Sequence, residues 1–196
     1  MHRLIDAMRV KDGSVFDLTH YTFYERDFVF FIRLAKEIGK LLRCDDEKAE
    51  QLGVLSQLLY LSSVLHVSLT EQTEDMAQLR AEKQMPVLLG DLLYGRFISA
   101  LTDTGNSVHL PEYLSYLKKF NANSVDYLEG RMAFDMNHAA ALLTEKTANV
   151  FSGCMGVTPD EVRVDAEQFF ADEWNVSRGE KVTSMAELED LFARFA

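Results

Sequence analysis

An all-α fold is predicted by three features of the sequence. Only 3 prolines and 10 glycines punctuate the 196 residues, and they fall where helices should begin or end. Apolar side chains recur at three- and four-residue spacing over long stretches, the period of one helix face. No run alternates polar with β-branched residues as a half-buried strand requires, and no low-complexity tract or internal repeat is present. With 47% hydrophobic residues the chain can bury a large core, so a single helical domain over residues 1–196 is expected.

The first helix is predicted from about Tyr24 to Arg43, where Phe28, Phe31, Ile32, Ala35, Ile38 and Leu42 share a face. Asp45 can cap a second helix that runs toward Thr70 and carries Leu52, Leu55, Leu58, Leu59, Ser62 and Leu65. It is apolar almost all round, which marks a central helix. The polar stretch from Glu71 to Gln84 reads as a loop or frayed helix end, after which Pro86 opens a third helix from about Val87 to Leu101. Gly105, Asn106 and Ser107 break the chain.

Pro111 starts a fourth helix, with Tyr113, Leu114, Leu117, Phe120, Val125, Leu128 and Met132 on its apolar side. A fifth follows from about Met136 to Cys154. Thr158, Pro159 and Glu161 spell a capping box with proline at the first helical position, and Ser184 with Glu187 repeats the box before a short last helix bearing Leu188, Leu191, Phe192 and Phe195.

The balance of 20 Lys and Arg against 31 Asp and Glu leaves a formal charge of -11. Such a surface repels phosphate backbones and anionic lipid, so no nucleic-acid partner is expected. No apolar stretch reaches membrane-spanning length and the first residues lack a signal-type apolar core, so a cytoplasmic protein with no membrane span is expected. Cys44 and Cys154 lack Cys-x-x-Cys or Cys/His metal spacing and read as buried free thiols.

Three segments carry a resemblance. Pro86-Val87-Leu88-Leu89-Gly90-Asp91-Leu92-Leu93-Tyr94-Gly95-Arg96 resembles the "GDYLLA" helix of the trans-prenyl diphosphate synthases. Leu142-Leu143-Thr144-Glu145-Lys146-Thr147-Ala148-Asn149-Val150-Phe151 is similar to that family's "KTA.LF" helix, in the expected order. Leu58 to His66 resembles the apolar helix that leads into the first aspartate-rich motif. The likeness covers about residues 23–162 and implies a truncated isoprenoid-synthase-type helical bundle with shortened C-terminal helices.

The chemistry that the resemblance implies needs magnesium to neutralise a departing diphosphate, and magnesium needs hard oxygen ligands. Where the family places Asp-Asp-x-x-Asp, this chain has Val67, Ser68 and Glu71, and the arginine pair that follows is reduced to Arg80. Gln168-Phe169-Phe170-Ala171-Asp172-Glu173 aligns with the second acidic motif only across a gap, and Val176 stands for its last aspartate. Tyr24-Glu25-Arg26 is at best a remnant of the segment that grips isopentenyl diphosphate. No catalytic residue and no metal ligand are therefore assigned to this chain.

Short, motif-poor relatives in the family are the small subunits, of component I type, of heterodimeric bacterial heptaprenyl and hexaprenyl diphosphate synthases. By that resemblance the chain is expected to be a non-catalytic regulatory subunit. It would pair with a catalytic large subunit, share the growing prenyl chain, and help set product length for isoprenoid quinones such as menaquinone. The partner would supply Mg2+ and both aspartate-rich motifs. Large apolar residues in Leu58 to Leu65 and Leu88 to Phe97 are candidates for a tunnel wall. The alternative from another class is a stand-alone helical protein that binds an isoprenoid or other apolar ligand in the old cavity. A third reading is an enzyme that uses the relocated acids Glu71, Asp172 and Glu173.

Two readings stand for several residues. Lys146 and Thr147 match positions that the family places near the allylic diphosphate, although Lys146 also fits a solvated helix face. Leu92, Leu93, Arg96, Phe97, Tyr116, Leu117 and Phe120 match the family's dimer-interface helices, yet the same residue types make an ordinary core. Asp91 reads as a structural hydrogen-bond acceptor and His66 as a satisfied core histidine. Asp135 with His138 is a single echo of a di-iron Glu-x-x-His pattern that needs two copies.

Overall fold

The computed structural model describes residues 23–68, 79–131 and 135–194. Within them, seven α-helices and a two-stranded ladder follow in the order β1 (Phe23–Tyr24), α1 (Glu25–Leu42), α2 (Asp46–Ser68), α3 (Leu79–Asp103), a 3-10 turn (Ser107–His109), α4 (Leu110–Leu128), α5 (Met136–Met155), α6 (Pro159–Phe169), a π turn (Phe170–Trp174), β2 (Lys181–Val182) and α7 (Met185–Arg194). The fold is all-α. Glu71, Met132 and Phe195, and the side chains of Ser68, Arg80 and Leu128, lie outside the described residues.

Helix α1 buries Phe28, Phe31, Ile32, Ala35 and Ile38, the predicted face. It ends because Arg43 turns left-handed at φ 53, and the Cys44 N–H closes onto the Gly39 carbonyl at 2.8 Å. Asp45 then caps α2, its Oδ1 accepting from the N–H groups of Glu47 at 3.0 Å and Lys48 at 3.2 Å. From Leu52 to Ser63 every residue of α2 is buried, because α1, α3, α4 and α5 all pack on it. Gly39 and Gly53 permit close approach of α1 and α2: a Cβ would lie 2.7 Å from the Ala49 Cβ at Gly39 and 2.9 Å from the Ala35 Cβ at Gly53.

Two expectations about the middle of the chain are corrected. Helix α3 starts at Leu79, so Pro86 lies inside it. The segment Leu79-Arg80-Ala81-Glu82-Lys83-Gln84 consists of strong helix formers, which outweighs the one backbone hydrogen bond that a proline removes. On α4 the buried stripe is Tyr113, Tyr116 and Phe120, while Leu114 and Val125 face solvent at 45% and 48% exposure. They stand roughly 100–180° around the helix from those residues.

The last third folds back onto the first. Proline takes the first position of α6 as expected, but the Thr158 side chain makes no cap hydrogen bond. The π turn seats Trp174 in full burial, with ring centroids 4.9 Å from Phe30, 5.6 Å from Tyr60 and 5.5 Å from Phe170. Its Nε1 donates to Asn137 Oδ1 at 3.0 Å. Strand β2 pairs antiparallel with β1, Phe23 opposite Val182. Each strand has two residues, too few for alternation to be readable in sequence. The Ser184 capping box forms: Ser184 Oγ accepts from the Glu187 N–H at 3.2 Å, and Glu187 Oε2 accepts from the Ser184 N–H at 3.3 Å. Leu188, Leu191 and Phe192 of α7 are buried against this end.

Candidate functional site

The segments singled out by sequence meet on α2. At its C-terminal end Ser62 Oγ donates to the Gly90 carbonyl of α3 at 2.9 Å, and His66 Nε2 lies 3.2 Å from Asp91 Oδ1. Gly90 leaves room for the imidazole, since a Cβ would lie 2.8 Å from its Cε1. The Gly90-Asp91 pair therefore joins α3 to α2, with Asp91 a hydrogen-bond acceptor at the surface, and the half-exposed His66 corrects its reading as a core histidine. One residue on from His66, Val67 is buried at 5% exposure. Val67, which the resemblance sets against an aspartate, is thus an apolar side chain held in the core and offers no oxygen to a cation.

On α5 the Lys146 side chain is buried at 7% exposure, which corrects the reading of a solvated face. Its Nζ lies 3.0 Å from Glu145 Oε1 and 3.6 Å from Glu112 Oε2 of α4, so the ammonium is occupied by two carboxylates. Thr147 is fully buried. Its hydroxyl lies 2.8 Å from the Leu143 carbonyl and 2.9 Å from Ser56 Oγ of α2, which in turn lies 3.4 Å from the Tyr113 hydroxyl. These groups tie three helices together.

The interface candidates divide. Leu93, Phe97, Tyr116 and Phe120 are at most 4% exposed and belong to the core of this chain, the second of their two readings. Leu92 and Leu117 are partly buried against that core, and Arg96 is of intermediate exposure. The apolar residues offered as a tunnel wall fill the core, with Leu58, Leu59, Leu61 and Leu65 at 1% exposure or less, whereas Leu88 is 60% exposed. The remaining acidic candidates are engaged locally: Asp172 accepts from Gln168 Nε2 at 2.9 Å, and Glu173 pairs with Arg33 at 2.7 Å. Among the described residues, no three His, Cys, Asp or Glu side chains come together as a set that could hold a metal ion.

Sequence reasoning missed a buried polar centre where α1, α2 and the π turn meet. Asp27 accepts from the Tyr24 N–H at 2.9 Å and from the Tyr60 hydroxyl at 3.2 Å. Gln57 Nε2 donates to the Asp27 carbonyl at 2.6 Å, and its Oε1 accepts from the Phe31 N–H at 3.1 Å. Arg26, next to Asp27 in sequence, lies 4.0 Å above the Trp174 ring and donates to the Trp174 carbonyl. Burial lifts the Asp27 carboxyl above its ordinary range against the pull of the Tyr24 N–H and Arg26, and pushes the Tyr60 hydroxyl well up. The local signal is an acid at the third helical position of α1. Its partners Tyr60 and Gln57 come from α2, and Trp174, which packs on Tyr60 and Arg26, lies 148 residues from Arg26 in sequence.

A groove of about 500 Å3 between α1, β2 and α7 is lined by Glu25, Glu180, Lys181, Val182, Glu187, Asp190 and Arg194. None of the residues of the α2, α3 and α5 segments lines it. Among the described residues no helix is long and apolar enough to cross a membrane. No protein family, curated protein or solved structure matches this chain.

Proposed function

We propose that the chain is a non-catalytic subunit of a heterodimeric trans-polyprenyl diphosphate synthase. It would pair with a catalytic large subunit, which brings Mg2+ and both aspartate-rich motifs, and help set product length in the synthesis of isoprenoid quinone side chains such as that of menaquinone. The observation that carries the reading is the placement of the resembling segments. The Gly90-Asp91 helix α3 and the Lys146-Thr147 helix α5 both dock on α2. That helix ends in Val67 and Ser68, where the resemblance would call for acids.

Chemistry on an allylic diphosphate needs a cluster of carboxylates around magnesium, and the candidate acids among the described residues are dispersed or engaged elsewhere. A chain with such a framework and without that cluster fits a role exercised through a partner. The stand-alone ligand-binding alternative would need an apolar cavity along Leu58 to Leu65, and those leucines pack against their neighbours instead. Co-expression with a catalytic synthase subunit from the same source tests the pairing. Co-elution as one complex at fixed stoichiometry is expected, and independent elution at micromolar concentration would remove the basis of the proposal.

A further inference from the structure

We propose that Cys154 and His109 form a nucleophile and base pair, a modification site at one end of the bundle for small oxidants of the hydroperoxide class. The two lie 45 residues apart in sequence, and Cys154 Sγ stands 2.9 Å from His109 Nε2. The turn before α4 is built to hold the ring there. The His109 N–H bonds the Asn106 carbonyl at 2.9 Å. Buried Asn106 donates from Nδ2 to Thr104 Oγ1 at 2.7 Å and accepts from Lys48 Nζ through Oδ1. Cys154 and His109 are both of intermediate exposure, and both cysteines are free and only partly buried, a correction to their reading as buried thiols.

The charged and titratable groups facing the pair are Lys48 from α2, Glu112 from α4 and the Cys44 thiol from the α1–α2 connection. Burial raises the Cys154 thiol and lowers the His109 imidazole. At neutral pH the pair therefore rests as a thiol donating its S–H to a neutral Nε2, and the imidazole is available as a base. In the step itself the sulfur attacks one oxygen of the hydroperoxide, forming an S–O bond as the O–O bond breaks. His109 takes the thiol proton and passes it to the departing oxygen, leaving a sulfenic acid and an alcohol or water. Sulfur loses two electrons and the peroxide gains them. Cys44 is the internal reference, because its sulfur accepts the Asp45 backbone N–H and its burial likewise raises it.

The test treats the full folded chain with hydrogen peroxide in the presence of dimedone, and reads adduct formation at each cysteine by mass spectrometry. Cys154 is expected to react about ten-fold faster than Cys44 near neutral pH. Its rate should stay flat from about pH 7 to about pH 8 while that of Cys44 climbs with its thiolate fraction. His109→Gln should remove the advantage of Cys154 and leave Cys44 unchanged, with circular dichroism checking the fold. The comparison within the wild-type chain stands even if that variant does not fold. Equal or slower reaction at Cys154, a climb parallel to that of Cys44, or an unchanged Cys154 rate in folded His109→Gln would overturn the proposal.

Discussion

The His66 imidazole occupies the space that a side chain on Gly90 would need, with Cε1 2.8 Å from where a Cβ would stand. Further along the same helix, Gly95 has nothing within 4 Å of that position. The two glycines of α3 thus have opposite expected responses to alanine. Gly90→Ala pushes the half-exposed ring off Asp91 and costs about 0.5–1 kcal/mol net of the helix-propensity gain. Gly95→Ala gains about 0.5–1 kcal/mol from helix propensity. Urea unfolding of the pair of variants checks both, and a gain from Gly90→Ala would refute the packing argument.

Thr147 joins α5 to α2 through Ser56, and Ser56 reaches Tyr113 on α4. Thr147→Val keeps the shape but removes a hydroxyl from a fully buried set, leaving Ser56 with one partner fewer. A loss of about 1–2 kcal/mol is expected. Ser56→Ala together with Thr147→Val should cost less than the sum of the two single changes, since both delete the same interaction. Strict additivity in a double-mutant cycle would show that the contact contributes nothing.

Lys146 is held by Glu145 and Glu112. Lys146→Met keeps the apolar stem and removes the charge, and the two carboxylates are exposed enough to take up water. The expected stability loss is about 1 kcal/mol. In an active mixture with a catalytic subunit, the KM for the allylic diphosphate should change less than about two-fold, because an ammonium committed to two carboxylates does not grip a diphosphate. A rise in KM of about ten-fold or more, equivalent to about 1.4 kcal/mol, would place Lys146 at the substrate after all.

Asp27 gives the fold a pH dependence of known sign. Its folded carboxyl titrates above the ordinary 3.8, chiefly through burial. Between the unfolded and folded values the folded chain binds more protons, so this group's contribution to stability falls as pH rises through that window. An asparagine at this position cannot titrate, and its amide can still accept from the Tyr24 N–H while donating to the Tyr60 hydroxyl. The stability of Asp27→Asn relative to wild type should therefore rise from about pH 4 to about pH 7 in urea titrations. A difference that stays constant or shrinks over that range would contradict the assignment.

Much of the helix plan is readable in the sequence because its signals are local. Asp45 and the Ser184–Glu187 box mark helix starts with their own side chains, and the apolar run from Leu52 to Leu65 marks the central helix whatever surrounds it. The start of α3 is harder to place, because Pro86 signals a helix opening that the good helix formers before it override. Burial is ambiguous where two faces compete: Leu114 and Tyr113 are adjacent in sequence, yet one faces water and the other the core. The site features hidden from sequence reasoning depend on distant partners. Asp27 meets Tyr60 and Gln57 from the next helix, and Cys154 meets His109 from 45 residues away.

Prenyl elongation decides whether this chain works through a catalytic partner. Labelled isopentenyl diphosphate and farnesyl diphosphate would be supplied with Mg2+ to the chain alone, to a candidate catalytic subunit alone, and to the two mixed. No elongation by the chain alone is expected, and long-chain product from the mixture, with length or yield beyond that of the catalytic subunit by itself. Elongation by this chain alone, or mixtures indistinguishable from the catalytic subunit by itself, would contradict it.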